Sequence, residues 1–123
     1  MEINKQFLEK LIIKALTTDS VYMSRVVRYL DSKLFVDNNY NIVADFYKKF
    51  WDSHSKLPSV EEIKLFANDP NFFTSFKKFY NDTANISLDA VEEDILYKES
   101  EKYIKEKLAS ITLSSAVDKM IKN

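Results

Sequence analysis

Glycine is absent from this 123-residue chain, and its absence removes several kinds of catalytic site. Phosphate-cradling loops, dinucleotide fingerprints and the serine nucleophile elbow all need glycine, where the backbone takes a positive φ or approaches a ligand closely. We therefore expect no nucleotide hydrolysis, no cofactor and no catalytic residue in this chain. We expect asparagine or aspartate to occupy the turn positions that need a positive φ.

Cysteine is absent as well, and there is a single histidine, His54. Neither a disulfide framework nor a thiolate metal site can form, and the lack of cysteine favours an intracellular location. One histidine cannot build a histidine-rich metal site, and Asp52, two residues earlier, points to a different side of a helix. We predict no metal site and place His54 on the surface at a helix end.

Long apolar runs are missing too, because the stretch from Leu11 to Leu16 is interrupted by Lys14. A membrane span needs about 20 predominantly apolar residues, so we expect none. The acidic Glu2 and Glu9 do not fit the basic and then uncharged pattern of a secretory signal. The expected location is the cytoplasm.

Neither sign of charge is in excess, since 18 basic residues accompany 19 acidic ones and the net charge is -1. This balance gives no long-range attraction for nucleic acid, which normally binds a face rich in lysine and arginine. Arg25 and Arg28 are the only arginines, so few forked donors are available for phosphate or guanine. We expect little direct nucleic-acid binding.

Apolar residues recur at intervals of three and four through most of the chain, which predicts an all-α fold. Ser59 and Glu62 have the spacing of a capping box, and Asp69 followed by Pro70 is typical of a cap and first helical position. The predicted helices begin near Asn4, at Asp19 or Ser20, at Asn38 or Asn39, at Ser59, at Asp69 and at Ser87.

The third predicted helix carries the strongest aromatic stripe in the sequence. Phe46, Phe50 and Trp51 are expected to anchor the centre of the core. A base-stacking platform is the alternative, but such platforms interleave aromatic with basic residues in an open groove. The spacing here favours core packing.

The last predicted helix continues to about Lys122 without proline or glycine. At 1.5 Å per residue it is about 50 Å long, which exceeds the diameter of the globular body that a chain of this size builds. Part of it is therefore expected to project or to bury itself against a partner. The predicted architecture is a compact helical bundle over 1–67 followed by a long helical hairpin over 68–123, together forming one domain.

The hairpin of the fifth and last helices is the predicted self-association surface, because two helices alone have too little core. Lys98, Lys102 and Lys105 share one side of the last helix and are candidates for docking a partner, although interleaved glutamates favour an ordinary salt-bridged surface. The candidate self-association residues are Phe72, Phe73, Phe76, Leu108, Ile111 and Val117.

Three stretches resemble, in order, the N-terminal domain of the DnaB-type replicative DNA helicases, and especially its tailed-phage members. The first is EKLIIKALTTDSVYMSRVVRYLDSKLF, which is similar to the family's opening helix, acidic turn and second helix. The second is NYNIVADFYKKFWDSHSKLPSVEEIKLF, which resembles the aromatic helix and the loop before a capped helix. The third is NISLDAVEEDILYKESEKYIKEKL, which resembles the entry into the long final helix. The family's usual glycine positions are absent here.

The resemblance implies a non-catalytic collar domain of a hexameric helicase. In that family the domain pairs through its helical hairpin, docks primase or a helicase loader, and precedes a linker and an ATPase domain. The partners implied are therefore further copies of this chain, as a dimer or hexamer collar, and primase or a loader. Because the chain ends inside a helical pattern without a stop signal, we expect it to be a fragment of a longer, ATP-dependent helicase.

Two other functions compete with this interpretation. A free-standing helical interaction protein, such as a helicase loader or inhibitor, would share the bundle without needing self-association. A small helix-turn-helix DNA-binding protein would need a basic recognition helix, which the sequence does not contain.

Overall fold

The computed structural model describes the backbone of residues 2–122 and, except at positions 115, 118, 121 and 122, their side chains. All regular structure in this part of the chain is helical, which confirms the all-α prediction. Two short 3-10 turns, Val27–Tyr29 and Leu88–Ala90, accompany the α-helices. The α-helices are α1 Lys5–Thr18, α2 Ser20–Val26, α3 Asn38–His54, α4 Val60–Leu65, α5 Pro70–Thr83 and α6 Glu93–Lys122.

Short polar side chains begin most of these helices, as their capping chemistry predicts. Asn4 and Asp19 cap α1 and α2 by accepting hydrogen bonds from backbone N–H groups of the first turn. The reciprocal bonds of the Ser59–Glu62 capping box are both present, and Asp69 caps α5 ahead of Pro70. The third helix starts at Asn38, the first of the two predicted positions, and Asp37 caps it through the N–H of Asn39 at 2.9 Å.

The left-handed turn that ends α3 is made by a serine, not by the expected asparagine or aspartate. Ser55 has φ 55° and ψ 31°, and its N–H donates to the carbonyl of Trp51 at 2.7 Å. It is the one residue with positive φ among residues 2–122. Without a glycine at this position, the Cβ of Ser55 costs about 1–2 kcal/mol in this conformation.

Helix α1 is the centre of the core, and it packs against α2, α3, α5 and α6. Its Ile12, Ile13 and Leu16 are completely enclosed, and so are Tyr22 and Met23 of α2. The aromatic stripe of the third helix was predicted to form this centre, and only part of it is buried. Phe50 is buried, whereas Phe46 and Trp51 are half-buried, on a helix that packs against α1 and α5.

Helix α5 packs along α3 through aromatic rings, and this explains why the predicted hairpin with α6 is not seen. The Phe72 ring lies 4.4 Å from that of Phe46, and Phe76 stands between Phe72 and Phe79. The apolar face of α5 is therefore used against α3, while α6 packs on α1. Helices α5 and α6 are not among the pairs that pack closely.

Helix α6 begins later than expected and has two distinct halves. Ser87 caps no α-helix through its side chain, because a 3-10 turn intervenes and α6 starts at Glu93. In the first half Leu96, Tyr103 and Ile104 are buried against the other helices. Every side chain that the structure describes after Leu108 is exposed, apart from the half-buried Ile111. The last 14 residues therefore project by about 21 Å.

Within residues 2–122, no helix is both long and apolar enough to cross a membrane.

A charged cluster fastens α5 to the start of α3. The ammonium of Lys78 lies 2.6 Å from Asp37 and 2.7 Å from Asp82, and the Tyr40 hydroxyl donates to Asp82 at 2.7 Å. Partial burial of Asp37 opposes its charged form, but hydrogen bonds from Lys78 and from Asn39 outweigh this and lower the pKa of the carboxyl. The pKa of Asp82 is lowered in the same way, by Lys78 and Tyr40 against burial.

Replacing Leu16 by alanine tests the central position of α1. Because Leu16 is fully enclosed, the substitution should reduce the free energy of unfolding by about 2–5 kcal/mol, measured by urea denaturation. Leu65→Ala is the matched control, since Leu65 is 76% exposed and should change the free energy by no more than about 0.5 kcal/mol. Equal effects of the two substitutions would contradict the assignment of the core.

Replacing Lys78 by methionine tests the charged cluster through its pH dependence. A carboxyl with a lowered pKa stabilises the fold above its unfolded pKa of about 3.9 and loses that contribution as the pH falls through the folded value. The parent should therefore exceed Lys78→Met in stability by up to about 1 kcal/mol near pH 6, a small figure because Lys78 is half-exposed. The difference should fade towards about pH 3. Lys77→Met, one residue away and exposed, should show no such dependence.

Candidate functional site

Two hydrogen-bonded pairs hold the first half of α6 against the rest of the molecule. The Tyr22 hydroxyl of α2 donates to Ser100 of α6 at 2.8 Å, and both residues are fully buried. One turn further along, the Tyr103 hydroxyl donates to the carboxylate of Glu9 in α1. Burial raises the pKa of the Tyr22 phenol, so its hydroxyl keeps the proton that this contact requires. The docked half of α6 is thus fixed in position and rotation.

Glu9 is a carboxylate inside the core, with its donors supplied by two distant segments. The N–H of Val36 lies 3.1 Å from each of its oxygens, and Tyr103 occupies Oε2. Burial, the hydrogen bond to Glu9 and its charge all raise the pKa of Tyr103. Since Glu9 is only 5% exposed and its oxygens are engaged, this pair is suited to holding helices together and not to reacting with a substrate.

The sequence analysis missed this role and treated Glu9 as one polar residue in an amphipathic helix. A signal was present, because Glu9 is flanked by Leu8 and lies three and four residues before Ile12 and Ile13, which are buried. The position therefore falls on the inner face of the helix. Its donors could not be foreseen, since Tyr103 lies 94 residues away in the chain.

Beyond the docked half, α6 presents three exposed apolar side chains on one side of the helix. Leu113, Val117 and Met120 are 65%, 43% and 78% exposed. At about 100° per residue they fall within roughly 60° of one another; their centre is rotated by about 130° from Ser100, and Val117 lies about 40° from Tyr103. We call these three residues the distal face. Their spacing of four and three residues is that of a helix-packing seam.

The six residues predicted for self-association do not form one surface. Phe72 is buried against α3 and Phe76 is half-buried there, so the prediction was wrong for this pair, whose rings complete the α3–α5 interface. Phe73 is exposed on α5, a helix that does not pack closely against α6. Leu108 and Ile111 are half-buried, and Val117 belongs to the distal face.

The three candidate docking lysines are all exposed on α6, but they do not converge on one site. Lys105 pairs with Glu101 of its own helix at 2.7 Å, as the interleaved glutamates predicted. Lys102 borders a groove beside the first residues of α1, whereas Lys105 borders a different groove beside α2. Lys98 lines neither of these two grooves.

His54 is the last residue of α3 and is exposed, as expected, with its ring 4.5 Å from that of Phe50.

Comparison with known proteins returned no match of the chain to a protein-family model, to a curated protein or to a solved structure. The likeness to the DnaB-type collar domain therefore depends on the sequence pattern alone and stays a prediction.

Replacing Tyr103 by phenylalanine tests whether the contact with Glu9 holds α6 in place. The buried carboxylate would lose its hydroxyl donor, which should lower the free energy of unfolding by about 1–3 kcal/mol. Amide hydrogen exchange should also accelerate in residues 96–108 more than in α3. Tyr80→Phe is the control, because Tyr80 is 61% exposed on α5. Unchanged exchange in α6 would show that the apolar contacts suffice without this bond.

Proposed function

We propose that this chain is a non-catalytic assembly module whose copies associate through the distal face of α6. The observation that carries the proposal is the division of this 30-residue helix into a firmly docked half and a projecting half with exposed apolar side chains. A helical segment of about 14 residues is marginal in water without packing. Leu113, Val117 and Met120 give it a face on which packing can occur.

A second copy of the same chain is the partner that fits this face most simply. Two projecting helices related by a twofold axis would place the same three side chains on both sides of the contact. Each copy would then cover the apolar face of the other, and the docked halves would keep the two segments in a fixed orientation. Contiguous apolar surface of this kind on a projecting element is typical of interaction sites.

We further propose that the module is the N-terminal collar and docking domain of a hexameric replicative DNA helicase. Support comes from the order of the helices, the aromatic third helix and the long final helix, three features that the sequence resemblance also contains; the α5–α6 hairpin that it implies is not seen. In this role the chain would join helicase subunits and receive primase or a loader. ATP hydrolysis would belong to another part of the parent protein.

Placing glutamates on the distal face tests the self-association. Leu113→Glu with Val117→Glu should convert an assembly into a 14.4 kDa monomer that keeps its helical circular dichroism, because charges cannot be buried between two such helices. The species should be weighed by light scattering at several concentrations.

Leu65→Glu serves as the matched control, since Leu65 is an equally exposed leucine on α4. This variant should keep the mass of the parent. A parent chain that is monomeric at high micromolar concentration would refute the self-association and favour the free-standing loader or inhibitor. A double variant with the parent's mass would place the contact elsewhere.

A further inference from the structure

A separate groove runs between α2 with its following 3-10 turn and the docked half of α6. Its volume is about 400 Å³. On the α2 side it is lined by Arg25, Val26 and Tyr29, and on the α6 side chiefly by Tyr97, Ile104 and Leu108. We call these six residues the tyrosine groove. It lies on another side of α6 from the distal face, because Tyr97, Ile104 and Leu108 are rotated well away from Leu113 and Val117.

The floor of the groove is apolar and firmly supported. Tyr97 stacks on the buried Tyr22 with ring centroids 5.4 Å apart, and Val26 and Ile104 belong to the core. Tyr29 at the edge is 43% exposed. A concave surface of fixed shape with exposed aromatic side chains is the kind of site that binds apolar side chains of another protein.

Arg25 lines this groove, and Arg28 borders it by lying over the ring of Tyr29. The guanidinium of Arg25 is 4.4 Å from the centre of the Tyr97 ring, and that of Arg28 is 4.9 Å from the Tyr29 ring. Neither forms an ion pair with a side chain that the structure describes. Arginine held over an aromatic ring keeps its forked donors free for a carboxylate, so the groove can receive a negative charge.

The charge differs between the two ends of the groove. At one end, Arg25 and the carboxylates of Asp19 and Glu93 lie near Tyr97. Burial raises the pKa of the Tyr97 phenol; Arg25 opposes this rise, and the two carboxylates add to it. At the other end Arg28 and Lys105 flank Tyr29, and Glu101 offsets only one of these two charges. An acidic side chain is therefore favoured at the Tyr29 end.

The length of the groove fits a short helix. From Tyr97 to Leu108 the α6 side extends for about 17 Å, which equals roughly three turns of an α-helix. An amphipathic helix of that length presents apolar residues at three- and four-residue intervals on one side, and such helices commonly bind between two helices of a partner.

We propose that the tyrosine groove binds an amphipathic helix of a partner protein, with its apolar residues on Val26, Ile104 and Leu108 and an acidic residue beside Arg28. This goes beyond the proposed self-association, because it uses a different surface and a different partner. A single-stranded nucleic acid would stack on Tyr29 and Tyr97, but Glu101 and the acidic pair near Tyr97 repel phosphates.

The test uses the full chain, labelled with ¹⁵N, and three synthetic helical peptides of about 14 residues, which cover the groove with about one residue to spare at each end. The first has leucines at helical spacing and glutamates near one end, the second has lysines in place of those glutamates, and the third has the first one's composition in scrambled order. A single-stranded oligothymidine is the fourth probe. Binding is followed by amide chemical shifts.

The acidic peptide should bind with a Kd below about 1 mM and shift the amides of α2, its 3-10 turn and residues 97–108. Its affinity should exceed that of the basic and scrambled peptides by roughly tenfold. Tyr29→Ala and Arg28→Glu should each weaken it by a similar factor, and neither side chain is buried. Tyr80→Ala, which removes an exposed tyrosine from α5, should leave the affinity unchanged.

Four outcomes would overturn the proposal. They are equal binding of the acidic and basic peptides, shifts that map outside the groove, preferential binding of the oligothymidine, and absence of saturable binding by the acidic peptide. The self-association is judged independently, because Leu113→Glu with Val117→Glu leaves the groove intact. Retained peptide binding in that monomer would show that the two surfaces act separately.

Discussion

The buried carboxylate of Glu9 connects three parts of the chain that are far apart in sequence. It belongs to α1, accepts the N–H of Val36 from the segment before α3, and accepts the hydroxyl of Tyr103 from α6. A carboxylate in the core is costly unless its oxygens are satisfied, so the fold is favoured when all three parts come together. This contact helps to fix where α6 lies, and the position of α6 defines both surfaces proposed here.

Features that depend on neighbouring residues could be predicted well from the sequence. The cap at Asp69, the choice of Asp19 or Ser20 for the second helix and the Ser59–Glu62 box were correct, because capping involves residues two or three positions apart. The all-α class followed from periodicity in the same way. The start of α3 at Asn38 was one of the two predicted positions, but its cap was not foreseen, since Asp37 stands beside two asparagines with nearly the same capping ability.

Features that depend on distant residues could not be predicted. The periodicity of α5 identified its apolar face, but both α3 and α6 could have covered that face. In the structure the aromatic rings of α3 pack against the apolar face of α5, so α3 covers this face. For the same reason Phe72 was assigned to a self-association surface, and the burial of Glu9 was not foreseen. Of the candidate self-association residues, Val117 lies exposed on the projecting helix and its role stays a prediction, and the tyrosine groove was not foreseen.

The unbroken course of α6 makes it a spacer of defined length. From the buried Ile104 to Val117 on the distal face the helix advances by about 20 Å, and it contains neither proline nor glycine at which it could bend. A protein bound to the distal face is thereby held away from the head, which is the group of helices packed around α1. In a pair of copies the two heads would stand apart with a gap between them, leaving each tyrosine groove accessible from solvent.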